Sequence, residues 1–196
     1  TRQFFIFDNM SILTKQQLQS YLWESANILR GKIDSGDFKH YILGLLFYKR
    51  LSDVFDEEFQ KLKEQVGEEL AGDKNLYADV FFIPVGCHWN DILSTSTNIG
   101  AKINEVFAKV TTANSPRLDG ILDKIDFNDK DKLSDAAMSD LVNHFNIHKL
   151  GNEFITGDML GDAYEYLIAQ FADDAGKKGG EFYTPHQIVE LLVEIL

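Results

Sequence analysis

Apolar positions along this chain fall mostly at helical spacing, with little strand-like alternation. Thr14-Lys15-Gln16-Gln17 has the form of a capping box, in which the Thr hydroxyl and the Gln amide serve the first free backbone groups. It predicts a helix from there to about Arg30, closed by Gly31. Asp34-Ser35-Gly36-Asp37 reads as a turn. Phe38, Tyr41, Ile42, Leu45, Leu46, Val54, Phe55, Phe59, Leu62 and Val66 then trace a long helix to Gly67. A bend or break is expected in it near Leu51-Ser52-Asp53, with Glu57, Glu58 and Lys61 pairing on its wet face. Asp73 to Asn75 is a loop, and Val80-Phe81-Phe82-Ile83, closed by Pro84, is the best strand candidate. Gly86 to Asn90 reads as a turn anchored by the packing of Trp89.

Ile99, Ile103, Val106, Phe107 and Val110 mark the next amphipathic helix, which ends before Asn114. Asp119 to Lys132, with five Asp and three Lys, is a polar connection, and Ser134 caps a helix carrying Ala137, Leu141 and Phe145. Leu150-Gly151-Asn152 to Thr156-Gly157 reads as a boundary. Behind it, Asp158 is placed to cap a helix with Leu160, Ala163, Tyr164, Leu167, Ile168 and Phe171, the clearest amphipathic stripe in the chain. A basic flexible loop, Gly176-Lys177-Lys178-Gly179-Gly180, follows. Thr184 as cap, Pro185 at the first helical position and Gln187 three residues after the cap then open a last helix. Leu191 to Leu196 is apolar on most sides, as in a helix that neighbours bury, so the chain is expected to stop inside a domain.

Composition narrows the classes. The 196 residues carry 31 acidic side chains against 19 Lys and Arg, a net charge of −12, while 44% of residues are hydrophobic and 15 are Phe. A sizeable core is possible, and wholesale disorder is excluded. The acidic balance disfavours a free-standing nucleic-acid binder, since such domains neutralise phosphate with a basic surface. Cys87 is the only cysteine, so there is neither an internal disulfide nor a CxxC zinc site, and a cytoplasmic location is expected. No apolar run reaches the roughly 20 residues that span a bilayer. Met10-Ser11 looks like a natural start, which makes residues 1–9 a tag or upstream remnant.

Several signals have bland readings that win. His144 and His148 stand i,i+4 like metal ligands, but Phe145 occupies the position where an HExxH motif needs Glu, and solvated helix-end histidines are the preferred reading. Adjacent Cys87 and His88 do not face each other as nucleophile and base, so a buried thiol is expected. The 176–180 loop lacks the Ser or Thr that follows the lysine of a phosphate loop. Gly180-Glu181-Phe182-Tyr183-Thr184-Pro185 stands apart. It sets two aromatic rings beside a capped helix start, whose free N–H groups attract anions, yet on these residues alone a packed aromatic turn is still the preferred reading.

These residues, taken with two other stretches, resemble the modification (M) subunit of type I restriction–modification systems, an adenine-N6 DNA methyltransferase. Leu22-Trp23-Glu24-Ser25-Ala26-Asn27-Ile28-Leu29-Arg30-Gly31 and the run Tyr41 to Asp53 resemble the helical N-terminal domain of those subunits. Leu160-Gly161-Asp162-Ala163-Tyr164-Glu165-Tyr166-Leu167, followed by Gly179 to Pro185, resembles the beginning of their catalytic domain. The resemblance implies a mainly α fold with at most a small β element. Residues 10–150 would form a helical assembly domain, and residues 151–196 the first helices of a truncated Rossmann-like methyltransferase domain. It implies S-adenosylmethionine as cofactor, with Glu181, Phe182, Tyr183, Thr184, Pro185 and His186 contributing to its pocket. His186 replaces the Arg or Lys frequent in relatives.

The partners implied are the specificity subunit, a second modification subunit, a restriction subunit where one exists, and DNA through the assembled complex. The Gly-rich cofactor loop and the Asn/Asp-Pro-Pro-aromatic motif that holds a flipped adenine are missing, since the only prolines are Pro84, Pro116 and Pro185. No catalytic residue and no metal ligand is therefore assigned, and these 196 residues alone are expected not to methylate DNA or to hold the cofactor tightly. A stand-alone helical adaptor without cofactor is the alternative.

Overall fold

The computed structural model describes residues 12–33, 35–122, 124–155, 159–174 and 186–195. Helix α1, Lys15–Leu29, starts where the sequence marks it: the Gln17 N–H donates to Thr14 Oγ1 at 3.2 Å and the Thr14 N–H donates to Gln17 Oε1 at 2.9 Å. Leu18, Tyr21, Leu22, Ala26 and Leu29 form one buried stripe on it. Arg30 ends the helix, and Gly31 turns the chain away at φ 76°, a left-handed conformation that a Cβ disfavours.

Helix α2, Ser35–Val66, has 32 residues, about 48 Å at the usual helical rise. It already begins at Ser35, inside the expected turn, and runs through Leu51-Ser52-Asp53 without the expected break. The reason is that Ser52 and Asp53 spend their hydrogen-bonding capacity on neighbouring segments. The Trp89 N–H donates to Ser52 Oγ at 3.0 Å, and Asp53 takes the Lys49 ammonium and the Leu150 N–H. The interior side chains from Phe38 to Phe55 are buried, whereas the helix from Gln60 onward is mostly exposed.

No strand occurs among the described residues, so the expected strand at Val80–Ile83 is corrected to extended coil. A single side chain does the work of a partner strand there. Asn114 accepts the Phe82 N–H on Oδ1 at 2.8 Å and donates from Nδ2 to the Phe82 carbonyl at 2.8 Å. With both of its backbone groups satisfied in this way, Phe82 has no need of a ladder.

Helix α3 is Glu68–Ala71, and a single tight turn at Lys74–Leu76 is capped by Asp73. Helix α4, Trp89–Leu93, is seeded by the buried Trp89. Helix α5 is Ile99–Ala113, and helix α6, Asp135–Phe145, is capped by Ser134 as the sequence indicates. The described residues of the acid-rich connection between them are turns and coil. Buried Phe127 pins that connection, edge-on to Tyr41 and Phe107 at ring distances of 5.4 and 5.2 Å. Helices α1, α2, α5 and α6 share one core, in which Leu22, Ile42, Leu45, Ile103 and Leu141 have no exposed surface. Helix α7, Met159–Asp174, lies against α1, and helix α8 is His186–Ile195. The described chain is thus mainly α. None of its helices is long and apolar enough to cross a membrane.

Candidate cofactor site and its approach

The aromatic corner is flanked by α7 and α8. Glu181, Phe182, Tyr183, Thr184 and Pro185 lie outside the described residues, as do Asp158 and the basic loop at 176–180. His186 is the first residue of α8, immediately after the predicted cap and proline, and its side chain lies outside the description. A ten-residue helix starting there carries its unpaired N–H groups in the first turn, where an anionic group is favoured.

The upstream flank is firmly seated. Ala163 and Leu167 of α7 are buried, and the Lys15 ammonium on α1 meets the Asp162 carboxylate at 2.7 Å. The downstream flank is bare: Ile188, Val189, Leu191, Leu192, Val193 and Ile195 of α8 are between 41% and 72% exposed.

Polar residues that sequence reasoning missed gather on α2, where it meets residues 149–153. Lys49 Nζ lies 2.6 Å from Asp53 Oδ1, and both side chains are almost wholly buried. Burial pushes the Lys49 ammonium below the ordinary lysine range, against the pull of the Asp53 carboxylate. Asp53 also accepts the Leu150 N–H at 2.7 Å, and Lys149 approaches it at 3.6 Å from the exposed side. The signal was available: a Lys, an Arg and an Asp interrupt an apolar helix face at positions 49, 50 and 53. Glu57, expected to pair on the wet face, instead accepts backbone N–H groups of Asn152 and Glu153.

The rejected motifs resolve into packing. Cys87 is fully buried, and burial raises its thiol pKa, which makes it a poor nucleophile. Its carbonyl accepts from the Tyr48 hydroxyl. His88 Nδ1 lies 3.0 Å from Asp56 Oδ1, and that hydrogen bond raises the imidazole pKa against the effect of partial burial. His144 is not the solvated helix-end residue expected. It is 8% exposed, its ring stacks on Tyr21 at 4.6 Å, and its Nε2 lies 2.8 Å from the Tyr21 carbonyl. His148 meets the same tyrosine edge-on at 5.0 Å. Among the described residues no group of three His, Cys, Asp or Glu side chains is arranged to hold a metal ion.

Comparison with known proteins adds to this geometry. A family model described as HsdM N-terminal domain matches residues 18–145, and one described as N-6 DNA Methylase matches residues 155–196. The type I restriction enzyme MjaIX methylase subunit of Methanocaldococcus jannaschii is 27% identical over 92% of this chain and 35% of its own length. The MpnII methylase subunit of Mycoplasma pneumoniae is 31% identical over 91% of this chain and 39% of its own. The crystal structure of a type I restriction-modification system methyltransferase subunit from Streptococcus thermophilus superposes with a TM-score of 0.69 at 29% identity, covering 93% of this chain and 44% of that one. The chain therefore spans less than half the length of these relatives.

Proposed function

The chain belongs to the HsdM N-terminal domain family, and from that premise we propose that it forms the helical head and first catalytic-domain helices of a type I DNA modification subunit. In this reading residues 10–150 are the assembly domain and residues 151–196 begin the methyltransferase domain. The subunit transfers a methyl group from S-adenosylmethionine to N6 of adenine in DNA. One observation carries the reading: two family matches, helical head and N-6 DNA methylase, follow each other on one chain in that order.

S-adenosylmethionine, when bound, supplies the methyl group. The share of this chain is to hold it. Glu181, Phe182, Tyr183, Thr184, Pro185 and His186 line one side of the pocket, with Phe182 and Tyr183 offering π-faces to the adenine ring. Thr184 and the first turn of α8 receive the methionine carboxylate, for which a helix start is suited. The exposed apolar surface of α8 supports the same reading, because a sheet of the methyltransferase domain would cover it. The helical head assembles with the specificity subunit and a second modification subunit, and with a restriction subunit where one is present. DNA is gripped through that complex, which leaves this acidic domain free of the need for a basic face. The protein works in the cytoplasm, and these 196 residues alone do not methylate DNA.

Titration of S-adenosylmethionine into the complete gene product tests the pocket. Tyr183→Ala is expected to weaken binding about tenfold or more, by the usual worth of an aromatic platform under a base. An unchanged affinity would remove residues 181–186 from the site.

A further inference from the structure

The two family matches meet between residues 145 and 155, and a chain segment between domains is by default free to flex. Here it is held. Arg50, Asp53 and Glu57 stand on one face of α2 at i, i+3 and i+7. Asp53 accepts the Leu150 N–H at 2.7 Å, and Glu57 accepts the N–H groups of Asn152 at 2.7 Å and Glu153 at 3.3 Å. Arg50 donates to the Leu150 carbonyl and to the Asn152 side-chain oxygen. From the other side the Leu13 N–H donates to the Phe154 carbonyl at 3.0 Å, while the N–H groups of Phe154 and Ile155 return to the Gly151 carbonyl.

Gly151 makes this approach possible. A Cβ there would lie 1.7 Å from Glu57 Oε1, so any side chain would expel the carboxylate. A hinge needs residues free to change φ and ψ, and in this segment the Leu150, Asn152 and Glu153 N–H groups and the Leu150 carbonyl are committed to α2, and the Phe154 carbonyl to Leu13.

We propose that Glu57, with Arg50 and Asp53, is a positioning residue of the methyltransferase. By gripping residues 150–153 it fastens the catalytic domain to the helical head, so that docking of the head sets the orientation of the cofactor site. The proposal rests on the function proposed above and deepens it.

The test uses the complete gene product assembled with its specificity subunit, comparing the parent with Glu57→Ala, Gly151→Ala and the double variant. Amide exchange at residues 152 and 153 should accelerate about tenfold in Glu57→Ala, and kcat per folded molecule should fall about tenfold. KM for S-adenosylmethionine should stay unchanged, because residues 181–186 are untouched. Gly151→Ala should give the same pattern, and the double variant should be no worse than either single one. Should Glu57→Ala not fold, Glu57→Gln, which keeps the shape and one acceptor, should move exchange and kcat in the same directions by less. Faster exchange with an unchanged kcat would overturn the positioning role, and unchanged exchange would overturn the grip itself. A parent complex without methyl transfer would overturn the functional reading and the positioning role together, while exchange would still report whether the grip exists.

Discussion

Helices α2 and α8 are both rich in large apolar side chains, yet the molecule treats them in opposite ways. In the first part of α2, Phe38, Tyr41, Ile42, Leu45, Leu46 and Phe55 are at most 4% exposed, whereas every apolar side chain described on α8 is at least 41% exposed. Each buried side chain of this size contributes about 1.5–3 kcal/mol by leaving water. The core of the helical head already provides that cover for α2, and none of the described residues provides it for α8. An apolar helix therefore tells that a surface must be covered but not by what. For α2 the cover lies within this chain, and for α8 it is proposed to lie in the methyltransferase sheet.

The contrast is broken most severely at the charges inside α2. Asp53→Ala leaves the buried Lys49 without its partner and is expected to cost about 3–5 kcal/mol in chemical denaturation of this chain. The direct comparison is Ile42→Ala, expected to cost about 2–5 kcal/mol, against Leu192→Ala on α8, expected to stay within about 0.5 kcal/mol. Equal costs would mean that α8 is not bare. Asn114→Ala removes the side chain that replaces a strand partner for Phe82 and should cost about 1–3 kcal/mol by the same measurement.

The smallest effect belongs to the wet flank of α2, where Asp56 holds His88. The folded-state pKa of His88 is raised above its ordinary value of 6.5, so its stabilisation is complete below that value and fades as pH rises through the higher folded-state one. With both groups about a third exposed, the gap in stability between the parent and His88→Gln should be a few tenths of a kcal/mol. It should be larger at acid than at alkaline pH.

Caps and periodic faces were legible in the sequence because they are local. Thr14 with Gln17, Ser134 and Gly31 each act within a few residues of their own position. The misses are long-range. The Val80–Ile83 run has strand composition, but Asn114, 32 positions from Phe82, decides its fate. Ser52 and Asp53 resemble helix breakers until Trp89 and Leu150 arrive to use them. His144 reads as a wet helix end until Tyr21, 123 positions away, covers it. The corner proposed for the cofactor rests on a sequence pattern of aromatics before a helix start and lies outside the described residues, and the structure describes only its flanks, the start of α8 at His186 and the seat of α7 on α1.

Transfer of a tritiated methyl group from S-adenosylmethionine to DNA, by the complete gene product assembled with its specificity subunit, tests the central claim most directly. Label recovered on N6-methyladenine after nucleoside digestion, at a rate about tenfold lower when the protein carries Gly151→Ala, is the expected result. No label on adenine from the assembled parent protein would contradict it.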